Sequence, residues 1–118
     1  IGNTDMHLKN WSLIYNDKRS ASIAPAYDFV STIPYIADKE AALKVSRSKK
    51  FADFTMDELS HLAAKARLPE KLVLDTASET VELFHEKWQS EKTNLALNSD
   101  VIEAIDKHLE DIPIAKKK

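Results

Sequence analysis

Apolar residues recur at helical spacing through the second half of the chain and at no steady period through the first. Leu59, Leu62, Ala63 and Ala66 form one stripe behind Thr55-Met56-Asp57-Glu58, a capping-box pattern with Thr at the N-cap and Glu three residues on. Val73, Ala77, Val81, Phe84 and Trp88 repeat along a second helix that begins at Pro69, a residue suited to a first turn because its missing N–H costs nothing there. Ile102, Ile105 and Leu109 line a third, capped by Ser99 and stopped before Pro113. Burying such rows yields about 1.5–3 kcal/mol per large side chain. Ahead of the helices, residues 11–15 and 21–25 are β-leaning runs on either side of the turn-rich Asn16-Asp17-Lys18-Arg19-Ser20, which predicts a hairpin. Pro34 marks a loop, and Asp38 to Val45 reads as a short helix or, by the resemblance described below, a strand through Leu43 and Val45. The chain is mainly α, and residues 1–118 form one domain.

The remaining irregular stretch is the first ten residues, Ile1-Gly2-Asn3-Thr4-Asp5-Met6-His7-Leu8-Lys9-Asn10. Asn3, Asp5, His7, Lys9 and Asn10 crowd together there without an amphipathic period. Asp5 and Asn10 stand at the spacing of a phosphoryl-transfer loop, in which an Asp accepts a hydroxyl proton and an Asn five positions later ligates magnesium. If the hairpin turns near Lys18, antiparallel pairing puts residue 26 opposite Asn10 and brings Asp28 close to it. One amide oxygen and one carboxylate suit Mg²⁺, which takes few protein oxygens and keeps room for phosphate and water.

Composition narrows the chemistry. A single glycine, Gly2, cannot build either of the common glycine-rich phosphate loops, so any nucleotide clamp belongs to a part that is missing from this chain. Because Ile1 is not an initiator Met and the loop starts at once, the chain reads as a fragment, expected to be inactive alone. A formal net charge of −2 provides no global field toward nucleic acid or membrane. The absence of cysteine excludes disulfides and thiolate metal sites and fits a cytoplasmic protein. No run approaches the ~18 apolar residues of a membrane span, and no signal peptide is visible.

The stretch Gly2-Asn3-Thr4-Asp5-Met6-His7-Leu8-Lys9-Asn10, followed by Ile23-Ala24-Pro25-Ala26-Tyr27-Asp28-Phe29-Val30-Ser31-Thr32, resembles the C-terminal kinase region of the HipA family, the toxin kinases of bacterial HipA–HipB pairs. Val30 stands where the general kinase template has glycine. The resemblance implies the helical C-terminal lobe of a protein-kinase-like fold, its catalytic loop carried by a short β-hairpin. It implies Asp5 as catalytic base, with His7, Leu8, Lys9 and Asn10 lining an ATP site. Asn10 and Asp28 would hold Mg²⁺, and Tyr27 would flank it. It further implies a Ser/Thr kinase acting on an aminoacyl-tRNA synthetase and neutralised by a HipB-like antitoxin, with operator DNA reached through that complex.

Blander readings stand beside these. His7 orients the loop or contacts nucleotide, and Lys9 neutralises phosphate charge or is a solvated cation. Arg47, Lys49 and Lys50 grip phosphate or, preferably, form a solvated run. His61, His85 and His108 lack ligand spacing and are expected at the surface or its boundary, and the Lys116 to Lys118 tail is expected to be disordered. The alternative function is a non-catalytic helical module that binds an antitoxin or DNA.

Overall fold

In the computed structural model, which describes residues 1–116, a 3-10 turn at Leu8–Asn10 leads into strands β1 (Leu13–Ile14) and β2 (Ser22–Ile23). A second 3-10 turn, Phe51–Asp53, precedes helices α1 (Met56–Ala66), α2 (Glu70–Glu91) and α3 (Ser99–Asp111), and a third, Pro113–Ala115, follows them. The chain is thus mainly helical, with a small antiparallel sheet. No helix of the described residues is long and apolar enough to cross a membrane.

Helix ends depart from expectation in instructive ways. At α1 the Thr55 hydroxyl accepts from Glu58 N at 3.1 Å, the first half of a capping box. The return half is missing, because the Glu58 carboxylate is drawn elsewhere. Its Oε1 accepts from the backbone N–H groups of Ser46, Arg47 and Ser48, and its Oε2 from Arg47 Nε at 2.7 Å. Three consecutive N–H groups that no strand pairs are satisfied by one buried carboxylate. Pro69 is the N-cap of α2 and not its first-turn residue. Asn98 occupies the N-cap of α3, and Ser99, expected there, is its first helical residue and bonds Asp100. Asp38 to Val45 is neither helix nor strand: one bridge, Glu40 to Lys50, and the bonds Ala41 N to Lys49 O and Phe51 N to Lys39 O tie it to the segment after Arg47.

The core lies at the C-terminal end. Trp88, Val101, Ile105, Leu109, Ile112 and Ala115 are buried together, with Phe51, Phe54 and Phe84 against them. Phe84 stacks near-parallel on Trp88, ring centroids 6.2 Å apart. Of the three helical histidines, His61 is exposed and His85 half-buried, as expected. His108 corrects the expectation: it is 8% exposed, edge-on to Phe51 at 4.8 Å, on the same face of α3 as Ile105 and Leu109. A helical stripe places a residue three after Ile105 inward whatever its polarity.

Burial lowers the His108 pKa to about 4, with the Ile1 ammonium adding to the effect and Asp111 opposing it. Arg47 chiefly, then the backbone N–H groups, outweigh desolvation and hold Glu58 at about 2. Both groups bind protons more readily when unfolded, so both lose stability on acidification, in successive windows. The His108 contribution is complete above about pH 6.5 and disappears toward about pH 4. That of Glu58 is complete above about 4.5 and disappears toward about 2. Thermal melts from pH 8 to 5 are therefore expected to show a falling melting temperature that His108→Phe flattens. Parallel slopes in the two proteins would refute the assignment.

Candidate active site

The hairpin positions the site. Leu13 pairs with Ile23 and Ile14 with Ser22, and Ala24 N donates to Ser12 O at 2.9 Å, so residue 26 falls opposite Asn10 as the pattern predicts. Its turn is held by Asp17, whose carboxylate accepts from Arg19 N (2.9 Å), Ser20 N (2.6 Å) and the Ser20 hydroxyl (2.8 Å). The Ser20 and Arg19 backbone bonds, joined by the Ser20 hydroxyl, hold the Asp17 pKa at about 2. Lys18 takes the left-handed conformation (φ 62°) that lets the chain return.

Beyond the strands, Asn10 and Asp28 meet directly, Asn10 Nδ2 donating to Asp28 Oδ2 at 2.8 Å. The carboxamide orientation follows from its partners. Its Oδ1 accepts from His7 N at 3.0 Å, which leaves only the NH₂ to face Asp28. The His7 ring nitrogen Nδ1 in turn accepts from Lys9 N at 3.3 Å, so His7 orients the loop. Tyr27 braces the crossing from the other strand end, its hydroxyl donating to Lys9 O at 3.0 Å. Leu8 and Lys9 point outward, Leu8 being 74% exposed. Asp5 is exposed, its N–H bonded to Asn3 Oδ1 at 2.9 Å. Among the described residues no cluster of three or more His, Cys, Asp or Glu that could hold a metal ion is formed; the cation position expected from the sequence is the Asn10–Asp28 pair.

The donor set of that pair suits Mg²⁺. The Asp28 carboxylate is an exposed hard oxygen donor, and Asn10 Oδ1 is a second one; because the Asn10 NH₂ faces Asp28 here, joint ligation would require the carboxamide to turn Oδ1 toward Asp28 and release the His7 N–H. Asp28 itself sits at φ 58°, a conformation Asp tolerates but most residues do not.

A second set of bonds, which sequence reasoning did not find, ties the loop to the segment after Asp28. Thr32 Oγ1 accepts from Thr4 N (2.9 Å) and pairs with the Thr4 hydroxyl (2.8 Å), while Thr32 N donates to Gly2 O at 3.0 Å. Gly2 is buried at φ 66°, and a Cβ there would lie 2.7 Å from Ile33. Gly2→Ala is therefore expected to destabilise the chain by about 1–3 kcal/mol, read as a lowered midpoint in urea. An unchanged midpoint would refute it. The single glycine was informative in the sequence, but its use at this close approach needed Ile33 in place.

The basic cluster is not free to grip phosphate as a unit. Arg47 pairs with Asp57 (2.6 Å) and Glu58 (2.7 Å), and Lys49 with Glu40 (2.8 Å). Lys50 remains exposed.

The HipA-like C-terminal domain family matches residues 1–88, and the chain belongs to that family. It is 60% identical over 109 residues, 92% of its length, to a Sinorhizobium fredii protein named "Putative kinase Y4dM". It is 51% identical over 35 residues, 30% of its length, to a Haemophilus influenzae protein also named a "Putative kinase". The chain spans 27% of the first relative and its match covers 10% of the second. No solved structure matches it.

Proposed function

We propose that this chain is the C-terminal catalytic lobe of an ATP-dependent serine/threonine protein kinase with a protein-kinase-like fold. The observation that carries the reading is the 2.8 Å contact between Asn10 and Asp28, residues 18 positions apart that the hairpin brings together, with the Asn3 side chain bonded to the backbone of both Asp5 and Asp28. Membership in the HipA-like family and kinase-named relatives support it.

In this reading the Asp5 carboxylate, exposed to an incoming chain, accepts the proton of a Ser or Thr hydroxyl. Bound Mg²⁺ would supply positive charge between the ATP phosphates. Asn10 and Asp28 would hold that ion, the His7 N–H fixes the Asn10 carboxamide, the Tyr27 hydroxyl fixes the Lys9 carbonyl, and the exposed Lys9 side chain would neutralise phosphate charge. Such catalysis is positioning and electrostatics, so few residues suffice. The substrate proposed is an aminoacyl-tRNA synthetase, and the regulating partner a HipB-like antitoxin that brings operator DNA.

The test is phosphoryl transfer from γ-labelled ATP by a protein of the relatives' length that carries this chain. Asp5→Asn is expected to lower kcat by about 10²–10⁴-fold with little change in KM for ATP. Transfer at the unaltered rate by Asp5→Asn would overturn the assignment.

A further inference from the structure

Two asparagine carboxamides grip Asp28 at its two ends. Asn10 donates to its carboxylate at 2.8 Å, and Asn3 Nδ2 donates to its backbone carbonyl at 3.3 Å. Asn3 is as unambiguously oriented as Asn10, because its Oδ1 faces the N–H of Asp5 at 2.9 Å and leaves the NH₂ to the Asp28 carbonyl. One side chain thus joins the residue read as the base to the residue read as the cation ligand. Its own backbone is anchored on both sides: Gly2 O accepts from Thr32 N and Ile33 N, and Thr4 bonds the Thr32 hydroxyl.

We infer that Asn3 is a positioning residue, which holds Asp28 in its left-handed conformation and so sets both the carboxylate's place beside Asn10 and the affinity of that pair for a divalent cation. The inference rests on the reading of Asp28 as a cation ligand. Asn3 itself bonds only backbone groups of the two aspartates and touches no reacting atom. At φ 58° even Asp, which tolerates this conformation better than most residues, is held at some cost that its hydrogen bonds offset. With the Asn3 bond gone, the carbonyl of Asp28 loses that hold, the backbone relaxes toward ordinary conformations, and the carboxylate swings from Asn10.

The probe is Mn²⁺, followed through paramagnetic broadening of the Asn10 and Asp28 amide signals in the ¹⁵N-labelled 118-residue chain. Asn3→Ala and Asn3→Ser are each expected to need about 10-fold more Mn²⁺ for half-broadening, the usual cost of losing a group that orients a ligand. The melting temperature is expected to stay put. The two variants separate the two bonds of Asn3. A serine hydroxyl accepts from the N–H two residues on, so Asn3→Ser retains slow hydrogen exchange at the Asp5 amide whereas Asn3→Ala loses it. Neither reaches the Asp28 carbonyl. Unchanged Mn²⁺ affinity in both variants, while Asp28→Asn abolishes broadening, would overturn the role of Asn3 and leave the cation site standing. A lowered melting temperature with unchanged affinity would overturn it equally, making Asn3 a structural residue. Broadening that survives Asp28→Asn, or none in the unaltered chain, would remove the cation site and the inference with it.

Discussion

Asp28→Asn is expected to reduce kcat for phosphoryl transfer by about 10²–10³-fold in a protein of the relatives' length and to raise the Mg²⁺ concentration needed for half-maximal rate. The substitution is chosen for its backbone. Asn tolerates the left-handed conformation that Asp28 adopts at φ 58° about as well as Asp, so the loop is kept while the charge is removed. Asn10 Nδ2 retains an acceptor if the new carboxamide turns its oxygen inward. Asp28 is exposed, so the melting temperature is expected to move little. A comparable fall in melting temperature and rate would mean that Asp28 serves the fold. An unchanged rate would mean that the carboxylate does not hold the cation.

The largest effect on stability is expected at Trp88. Its ring is 7% exposed, stacked on Phe84, and packed in the cluster with Val101, Ile105 and Leu109. Its indole N–H donates to Asp106 Oδ1 at 2.7 Å, and Lys92 Nζ donates to Asp106 Oδ2 at 2.8 Å. Desolvation pushes the Asp106 carboxyl up, but Lys92 and then Trp88 outweigh it and hold its pKa below the ordinary value. Trp88→Ala removes the ring and one of these donors together. A loss of about 3–5 kcal/mol is expected, a large share of the ~5–15 kcal/mol that keeps a domain folded. Trp88→Phe keeps an aromatic ring in the cluster but removes the indole N–H that Asp106 Oδ1 accepts and part of the buried volume, a combined loss of about 1–3 kcal/mol. Urea denaturation of the three proteins measures both. Equal midpoints for Trp88→Phe and the unaltered chain would show that the Asp106 bond adds nothing.

Legibility followed the range of the interaction. The meeting of Asn10 and Asp28 could be read from sequence because antiparallel pairing transmits a turn position rigidly along both strands, and the observed register of Leu13 with Ile23 is the one the turn residues imply. The stripes of α1, α2 and α3 were readable for the same reason, a backbone period that needs no distant partner. The helix ends were read less well. At α1 the Thr55 cap formed, but Glu58 was taken by the 46–48 loop, a competition invisible to a four-residue pattern. At α3 two capping residues stand side by side, and Asn98 took the position that Ser99 was given. His108 lies inward because its phase in the stripe prevails over its polarity.

What the chain's order of residues determined by itself was the existence and type of its periodic elements, and the juxtaposition that one short hairpin enforces. Tertiary structure alone decided the rest: that Thr32 would clasp Thr4, that Glu58 would serve three loop N–H groups, and that Asn3 would span from Asp5 to Asp28. Apart from the Asn3–Asp5 bond, these join residues 10 to 28 positions apart, and none belongs to the repeating ladder of a helix or strand. A hydrogen-bonding group has many prospective partners of the right chemistry along a chain, and only packing of the intervening segments selects one.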